Sequence, residues 1–315
     1  MGRWNMNAHQ PAGVDHYYNR NTRRFLRFAA RGSSSTIHRA VWAPGVLNRR
    51  DAVHYVHRLI LQYALADLDC PVVWDLGCGV GASIAYLAAE RRGSYRGVTI
   101  SGTQRSLAER LLSQRLRCAT ADWSVLHGDF CRANTFQQLM ALSPARRPAL
   151  VYMIEAFGHA ADPRFLLRSI AESLDDQGTL VICDDIIAHA HGRRSAEARQ
   201  FAAGWQIASL WTVDEISACA ADYGMALEHN IDLTPWVEIN RPRDRIIASL
   251  ITALDCSRVL RRRLFDSPFW ANMRGGSALQ RALANGTMRY RVLVYRKQDA
   301  VPDPSQTIPS GAPTQ

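Results

Sequence analysis

The chain has 315 residues, 47% of them hydrophobic, and a formal net charge of +10. That length supports one large core with additions, and no apolar run is long enough for stable membrane insertion. The 7 cysteines are scattered without metal-ligand spacing or a paired framework, which sets aside a zinc module and a disulfide-stapled secreted fold.

Lys297 is the sole lysine, so arginine carries the positive charge. Coding bias accounts for arginine over lysine but not for the excess of basic residues. That excess points to an anionic partner: a phosphorylated small molecule, a nucleic acid or an anionic membrane surface. Residues 1–13 hold neither an apolar core nor a cleavage-site pattern. They read as a disordered start rather than a secretion signal, and a cytoplasmic, reducing setting is expected for thiols such as Cys78 and Cys183. Residues 15–31, DHYYNRNTRRFLRFAAR, predict a helix on which Arg20, Arg24, Arg27 and Arg31 share one face, beside Tyr17 and Tyr18. That stripe is either a solvated basic face or a grip for a diphosphate, whose oxygens guanidinium groups match in pairs. After a flexible GSSS at 32–35, His38, Arg39 and Trp42 extend the region, and a second helix is expected over 51–66.

From 67 to 298 strands and helices alternate as in a doubly wound α/β sheet. Strands are expected at 71–76, 95–100, 122–126, 149–154 and 179–184, with a sixth inside 223–234 and a seventh inside 287–297. Helical insertions are expected at about 188–222 and 240–285, the second carrying Arg261, Arg262 and Arg263. The tail, 299–315, is rich in Pro, Ser and Thr and reads as disordered.

The stretch Val72 to Ser83, VVWDLGCGVGAS, is a buried strand ending at Asp75, followed by a turn at Gly77, Gly79 and Gly81 that opens a helix. Such a turn exposes backbone N–H groups and lets a ligand approach the main chain. A dinucleotide-binding domain would place its third glycine further on and an acid after the second strand, where this chain has Thr99. The stretch resembles the cofactor motif of class I S-adenosylmethionine (SAM) methyltransferases. The resemblance implies a Rossmann-like, seven-stranded methyltransferase sheet, with residues 1–66 as a helical segment covering the active site. It also implies that Asp75, Gly77, Cys78 and Gly79 flank the methionine part of SAM. GVTISGTQ, 97–104, is similar to the cyclopropane-fatty-acid-synthase, sarcosine and sterol/tocopherol methyltransferase groups. There Thr99, Ser101 and Gln104 would replace the usual ribose-binding acid, a hydroxyl and an amide supplying the same hydrogen bonds. In HGDF, 127–130, Asp129 matches the residue that accepts the adenine amino group, and Phe130 would pack on the purine. An aspartate after a strand also serves as an ordinary turn cap.

VYMIEAFGHAADP, 151–163, places Glu155 at the end of the fourth strand and His159 shortly after. It resembles sterol C-methyltransferases and, more loosely, terpenoid and tocopherol methyltransferases. The resemblance makes Glu155 the catalytic candidate, with His159 as alternative base or partner and Tyr18, in the covering segment, as a further catalytic candidate. Glu155 also stands as a cofactor-pocket candidate. Methylating an unactivated alkene creates a tertiary cation, which a carboxylate in an apolar pocket stabilises and deprotonates. Tyr17, Arg24, Arg27, His38, Arg39 and Trp205 are the acceptor-side candidates, Trp211 and Trp236 lying in or near the same insertion.

The expectation is a SAM-dependent C-methyltransferase of an isoprenoid or other apolar alkene, with a prenyl diphosphate as one form of acceptor. No metal site is read from the sequence, and Mg2+ would accompany only a diphosphate acceptor. The alternative is N- or O-methylation of a small secondary metabolite. An RNA substrate is disfavoured, since there is no N/D-P-P-Y-type motif and no separate basic module. A bicarbonate-site pattern for cyclopropane synthesis is also missing. Monomer and homo-oligomer both stay open.

Overall fold

The computed structural model describes residues 38–117, 121–239, 241–256 and 268–298. Seven strands form one sheet in the order β3-β2-β1-β4-β5-β7-β6. They are β1 Val72–Leu76, β2 Ser94–Thr99, β3 Asp122–His127, β4 Leu150–Ile154, β5 Thr179–Ile187, β6 Met225–Asp232 and β7 Met288–Lys297. Strand β7 runs antiparallel to both β5 and β6, and the other pairings are parallel. The fold is the α/β, Rossmann-like sheet of seven strands expected from the sequence.

Strand β1 is buried along its whole length and β4 nearly so, whereas the edge strands β3 and β6 are largely exposed or half-buried. Central parallel strands covered on both faces read as continuous apolar runs for this reason. Alternate residues feed two cores. Val73, Tyr95, Tyr152 and Val181 pack on one face, and Val72, Trp74, Val98, Val151 and Met153 on the other.

The helices are α1 Arg49–Val53, α2 Tyr55–Ile60, α3 Ala82–Glu90, α4 Gly102–Arg115, α5 Ala133–Ala141, α6 Pro163–Ser173, α7 Ala196–Trp205, α8 Val213–Ala221, α9 Pro242–Cys256 and α10 Pro268–Ala284. Two expectations are revised. The helix foreseen over 51–66 is capped earlier, by the Asn48 side chain accepting from Asp51 N–H, breaks at His54, and continues past α2 as a π turn over Leu61–Leu65. The insertion at 188–222 is helical only in part. Gln206, at φ +57, ends α7. The chain then crosses the end of β4, where Ala208 and Ser209 both donate to the Gly158 carbonyl, at 2.9 and 3.0 Å. A left-handed residue that stops a helix is easily read from glycine and poorly from glutamine.

Strands β1 and β4 are neighbours whose connections leave in opposite directions, which opens a crevice at their carboxyl ends. The glycine turn and Glu155 flank that crevice.

Candidate active site

The three glycines of the turn after β1 all lie at positive φ, and Gly77 and Gly79 bear most on a ligand. Gly77 has φ +101, and a methyl there would lie 2.6 Å from the Ala156 methyl. Gly79 has φ +53 and open space within 4 Å of where its Cβ would be, so a ligand can reach this backbone. Asp75 lies below the turn, 3% exposed. The Tyr152 hydroxyl donates to its Oδ2 at 2.9 Å. Burial, partly offset by that hydrogen bond, pushes the Asp75 carboxyl up to about 7. Cys78 is also buried, its thiol pushed well up by burial and then by Asp75.

After β2, Ser101 caps α4 by accepting from Gln104 N–H at 3.1 Å. The Thr99 hydroxyl donates to Gln104 Oε1 at 2.7 Å, and Gln104 is only 7% exposed. These three residues form one locally bonded unit. After β3, Asp129 Oδ1 accepts from Cys131 N–H at 2.8 Å, and Oδ2 lies 3.7 Å from Arg132 Nε. Asp129 therefore does cap its turn, and its side chain stays 19% exposed. Phe130 lies beside the glycine turn, its Cε1 3.9 Å from where a Gly77 methyl would be.

Across the crevice, Glu155 sits in the left-handed region at φ +52. For a residue other than glycine this stores about 1–2 kcal/mol of strain. Its N–H donates to Cys183 O at 2.7 Å, a bond supplied by β5. Its Oε1 accepts from Arg39 N–H at 3.1 Å and from the Tyr290 hydroxyl at 3.0 Å. The Arg39 guanidinium makes two 2.6 Å bonds to the Asp185 carboxylate and lies 4.9 Å from the centroid of the Tyr290 ring. Burial opposes the Arg39 charge, but Asp185 and Glu155 more than offset it and hold the group cationic. Burial pushes Asp185 up, opposed by Arg39, and holds the Tyr290 phenol well above its ordinary range.

His159 lies in a short 3-10 turn, Phe157–His159, with Nδ1 3.2 Å from Gln206 O. A carbonyl only accepts, so Nδ1 carries the proton, and in the neutral ring Nε2 is the unprotonated nitrogen. Burial lowers this imidazole and favours that neutral form.

The methyltransferase domain family model matches residues 46–230, more than half of the chain. The chain belongs to that family. It is a SAM-dependent methyltransferase. Solved structures similar to it agree on the fold at low identity. Geranyl diphosphate C-methyltransferase from Streptomyces coelicolor A3(2), in complex with Mg2+, geranyl-S-thiolodiphosphate and S-adenosyl-L-homocysteine, is 14% identical. It has a TM-score of 0.67, with 93% of this chain and 100% of that one covered. The cyclopropane synthase MmaA2 from Mycobacterium tuberculosis is 16% identical at a TM-score of 0.66, over 93% and 100%. The cyclase SpnF is 15% identical at 0.64, over 91% and 96%.

Within this methyltransferase, the structure distributes the sequence candidates unevenly. It brings Asp75, Gly77, Cys78, Gly79, Thr99, Ser101, Gln104, Asp129 and Phe130 to the carboxyl ends of β1, β2 and β3. Glu155 and Arg39 meet directly. Trp205 goes elsewhere: its indole donates to Asn272 O at 3.0 Å, where α7 crosses α10. That crossing is tight, since a methyl on Gly204 would lie 2.7 Å from Gly275 Cα. Arg39, expected to grip substrate, spends its guanidinium on Asp185. Tyr17, Tyr18, Arg20, Arg24, Arg27, Arg31 and the Arg261 to Arg263 cluster lie outside the described residues, as do the segments 15–31 and 299–315.

Sequence reading missed Asp185 and Tyr290. The consecutive aspartates inside a buried apolar strand were a usable signal, since an apolar site admits a carboxylate only with a partner. It also missed a cluster of three histidines. His57 Nε2 lies 3.2 Å from His38 Nε2 and 2.9 Å from Ser83 Oγ, and His57 Nδ1 lies 3.0 Å from His54 Nδ1. The cluster joins the 38–43 segment to the first turn of α3, next to the glycine turn. No helix among the described residues is long and apolar enough to cross a membrane.

Proposed function

We propose that this methyltransferase methylates an alkene carbon of an isoprenoid acceptor, with Glu155 as the charge that stabilises the resulting cation. The observation that carries the reading is the placement of Glu155: a strained residue at the end of β4 whose carboxylate is fixed by Tyr290 and the Arg39 amide. When bound, SAM supplies an electrophilic methyl group on sulfur. The residues around the glycine turn fit that cofactor, because Gly79 leaves its backbone open while Phe130 offers a flat apolar surface beside it. Asp75, Gly77, Cys78, Gly79, Thr99, Ser101, Gln104, Asp129 and Phe130 are proposed to hold it.

An alkene has no proton to lose before it reacts, so no base is needed at the start. Methyl transfer then leaves a tertiary cation, which needs a nearby negative charge and, after it, a proton acceptor. A carboxylate whose Oε1 already accepts two hydrogen bonds is held in place to face a developing positive charge. Glu155 therefore suits charge stabilisation, and the neutral His159, unprotonated at Nε2, is the proposed proton acceptor. Arg24 and Arg27 are retained as proposed diphosphate contacts, with Tyr17, Tyr18 and His38 as covering residues. Among the described residues no group of three His, Cys, Asp or Glu side chains is placed to hold a metal. Magnesium arriving with a diphosphate would thus lean on the phosphate oxygens.

The test is incubation with methyl-labelled SAM and a panel of prenyl diphosphates, sterols, phenols and amines, with and without EDTA. Label in a carbon-methylated isoprenoid is the expected result. Label confined to phenols or amines would replace this reading with N- or O-methylation. Loss of label with EDTA, restored by magnesium, would mark the diphosphate acceptor.

A further inference from the structure

Three strands and one incoming segment meet at Glu155, and the way they meet is specific. Strand β7 runs antiparallel to β5, so its first residues reach the carboxyl end of the sheet, and Tyr290 pairs in register with Asp185. Directly opposed residues project to the same face. Tyr290 is fully buried, and its main chain is held on both sides: its N–H donates to Thr234 Oγ1 at 2.9 Å and its carbonyl accepts from Leu233 N–H at 2.8 Å. Its hydroxyl, in contact with the Cys183 thiol, donates to Glu155. The phenol stays protonated across the working range because burial and the neighbouring Cys183 and Glu155 push it up. The 38–43 segment is tied down independently, by Val41 N–H to Ala52 O at 2.8 Å and Trp42 N–H to Trp236 O at 2.7 Å. Arg39 nevertheless turns inward to Asp185 instead of outward to water, at the expense of a buried charge pair that stability alone does not require.

We propose that Tyr290, Asp185 and Arg39 form a clamp that positions the Glu155 carboxylate: Tyr290 by its hydroxyl, and Asp185 by fixing Arg39 so that the Arg39 amide reaches the same oxygen. These are positioning residues. With Oε1 held from both sides, the carboxylate cannot rotate, and its remaining oxygen keeps one direction. A carboxylate must hold its geometry closely for its charge to act on a developing cation. Asp185 and Tyr290 also make Glu155's setting sensitive to the 38–43 segment, since the clamp is complete only when Arg39 is seated. The inference rests on the reading of Glu155 as the functional carboxylate, and it does not depend on which acceptor is methylated.

The experiment is Tyr290→Phe, which removes one oxygen and keeps the ring beneath Arg39. Turnover should fall about tenfold, as for loss of a hydrogen bond to a charged group, with acceptor KM within about twofold. S-adenosyl-L-homocysteine affinity should also stay within about twofold. Asp185→Asn should likewise lower turnover while leaving acceptor KM and S-adenosyl-L-homocysteine affinity within about twofold. It should also speed amide hydrogen exchange in the peptide spanning 38–43. Unchanged turnover, or turnover, KM and cofactor affinity all worsening together with melting temperature, would overturn the clamp. If the acceptor panel yields only methylated phenols or amines, the alkene reading fails and the clamp is tested on that acceptor. Turnover that falls there with KM held upholds the clamp, and unchanged turnover removes it.

Discussion

The two sides of the crevice are assembled from different kinds of contact. On the glycine-turn side, the side-chain bonds that shape the loops after β2 and β3 are local: Thr99 meets Gln104 five positions on, and Asp129 caps the amide two positions on, while Asp75 is reached from β4 by Tyr152. On the Glu155 side the partners are 116, 135 and 146 positions apart, joining the 38–43 segment, β4, β5 and β7. The loops after β2 and β3 are properties of short peptides placed at strand ends. The Glu155 side exists only once the sheet has closed and β7 has slotted between β5 and β6. Residues on the local side should tolerate loss of any one contact better than those on the long-range side.

The largest expected effect separates the two sides outright. Glu155→Gln keeps an oxygen to accept from Arg39 and Tyr290 while removing the negative charge. Turnover should drop at least about a hundredfold, the lower range for a positioned charged group in catalysis. S-adenosyl-L-homocysteine affinity, read by calorimetry, should change less than about twofold. Loss of both together would make Glu155 part of the cofactor pocket and erase the division.

That contrast also explains what could be read from the sequence. The strands, the glycine turn and the T-x-S-x-x-Q and G-D-F loops were legible, because each is a contiguous pattern tied to a strand end. Glu155 was legible by position, yet its left-handed backbone was not, since no glycine marks it. Tyr290 lies in an alternating strand pattern that reads as core, and only the antiparallel register with Asp185 brings it to the site. Trp205 is held where α7 crosses α10, by a bond to Asn272, 67 positions on, that its own stretch of sequence does not announce. The histidines at 38, 54 and 57 were scattered in sequence and came together only through the break at His54.

A smaller effect probes the seam between the sides. Gly77 has the Ala156 methyl against it, and Ala156 is next to Glu155 in the chain. Gly77→Ala must therefore displace Ala156 as well as strain its own backbone, costing about 2 kcal/mol of stability. Both cofactor affinity and turnover should fall. Gly79→Ala meets open space. It should cost about 1 kcal/mol through its backbone alone and weaken cofactor binding with little further loss at saturating SAM. Equal effects of the two variants on saturated turnover would show that the seam transmits nothing.

The smallest effect concerns the histidines that brace the 38–43 segment from the cofactor side. Their bonds admit one proton order when all three rings are neutral. His38 Nδ1 donates to Arg39 O, His57 Nε2 then donates to His38 Nε2, and His54 Nδ1 donates to His57 Nδ1. A further proton on His38 or His57 sets donor against donor. Burial is the largest cause for all three, pulling His38 and His54 down to about 4 and His57 well below 6.5. A base with a depressed folded value gives stability that is fully present above its unfolded value of 6.5 and is lost as pH falls toward about 4. Asp75 and Asp184 work the other way: both are raised by burial from 3.8 to about 7, so their contribution is present at low pH and is lost as pH rises through about 7. The two sets oppose each other between pH 4 and 6.5, which makes the wild-type profile shallow and removal of a histidine visible. His54→Phe preserves the ring against Tyr86, stacked at 4.2 Å in the wild type, while deleting one titrating group. Its melting temperature relative to wild type should rise by a few degrees between about pH 7 and about pH 5, the scale of about 1 kcal/mol in a domain of this size. A constant difference across that range would mean that His54 carries no linked proton, leaving the 38–43 segment held by the Arg39–Asp185 pair and by the main-chain bonds of Val41 and Trp42.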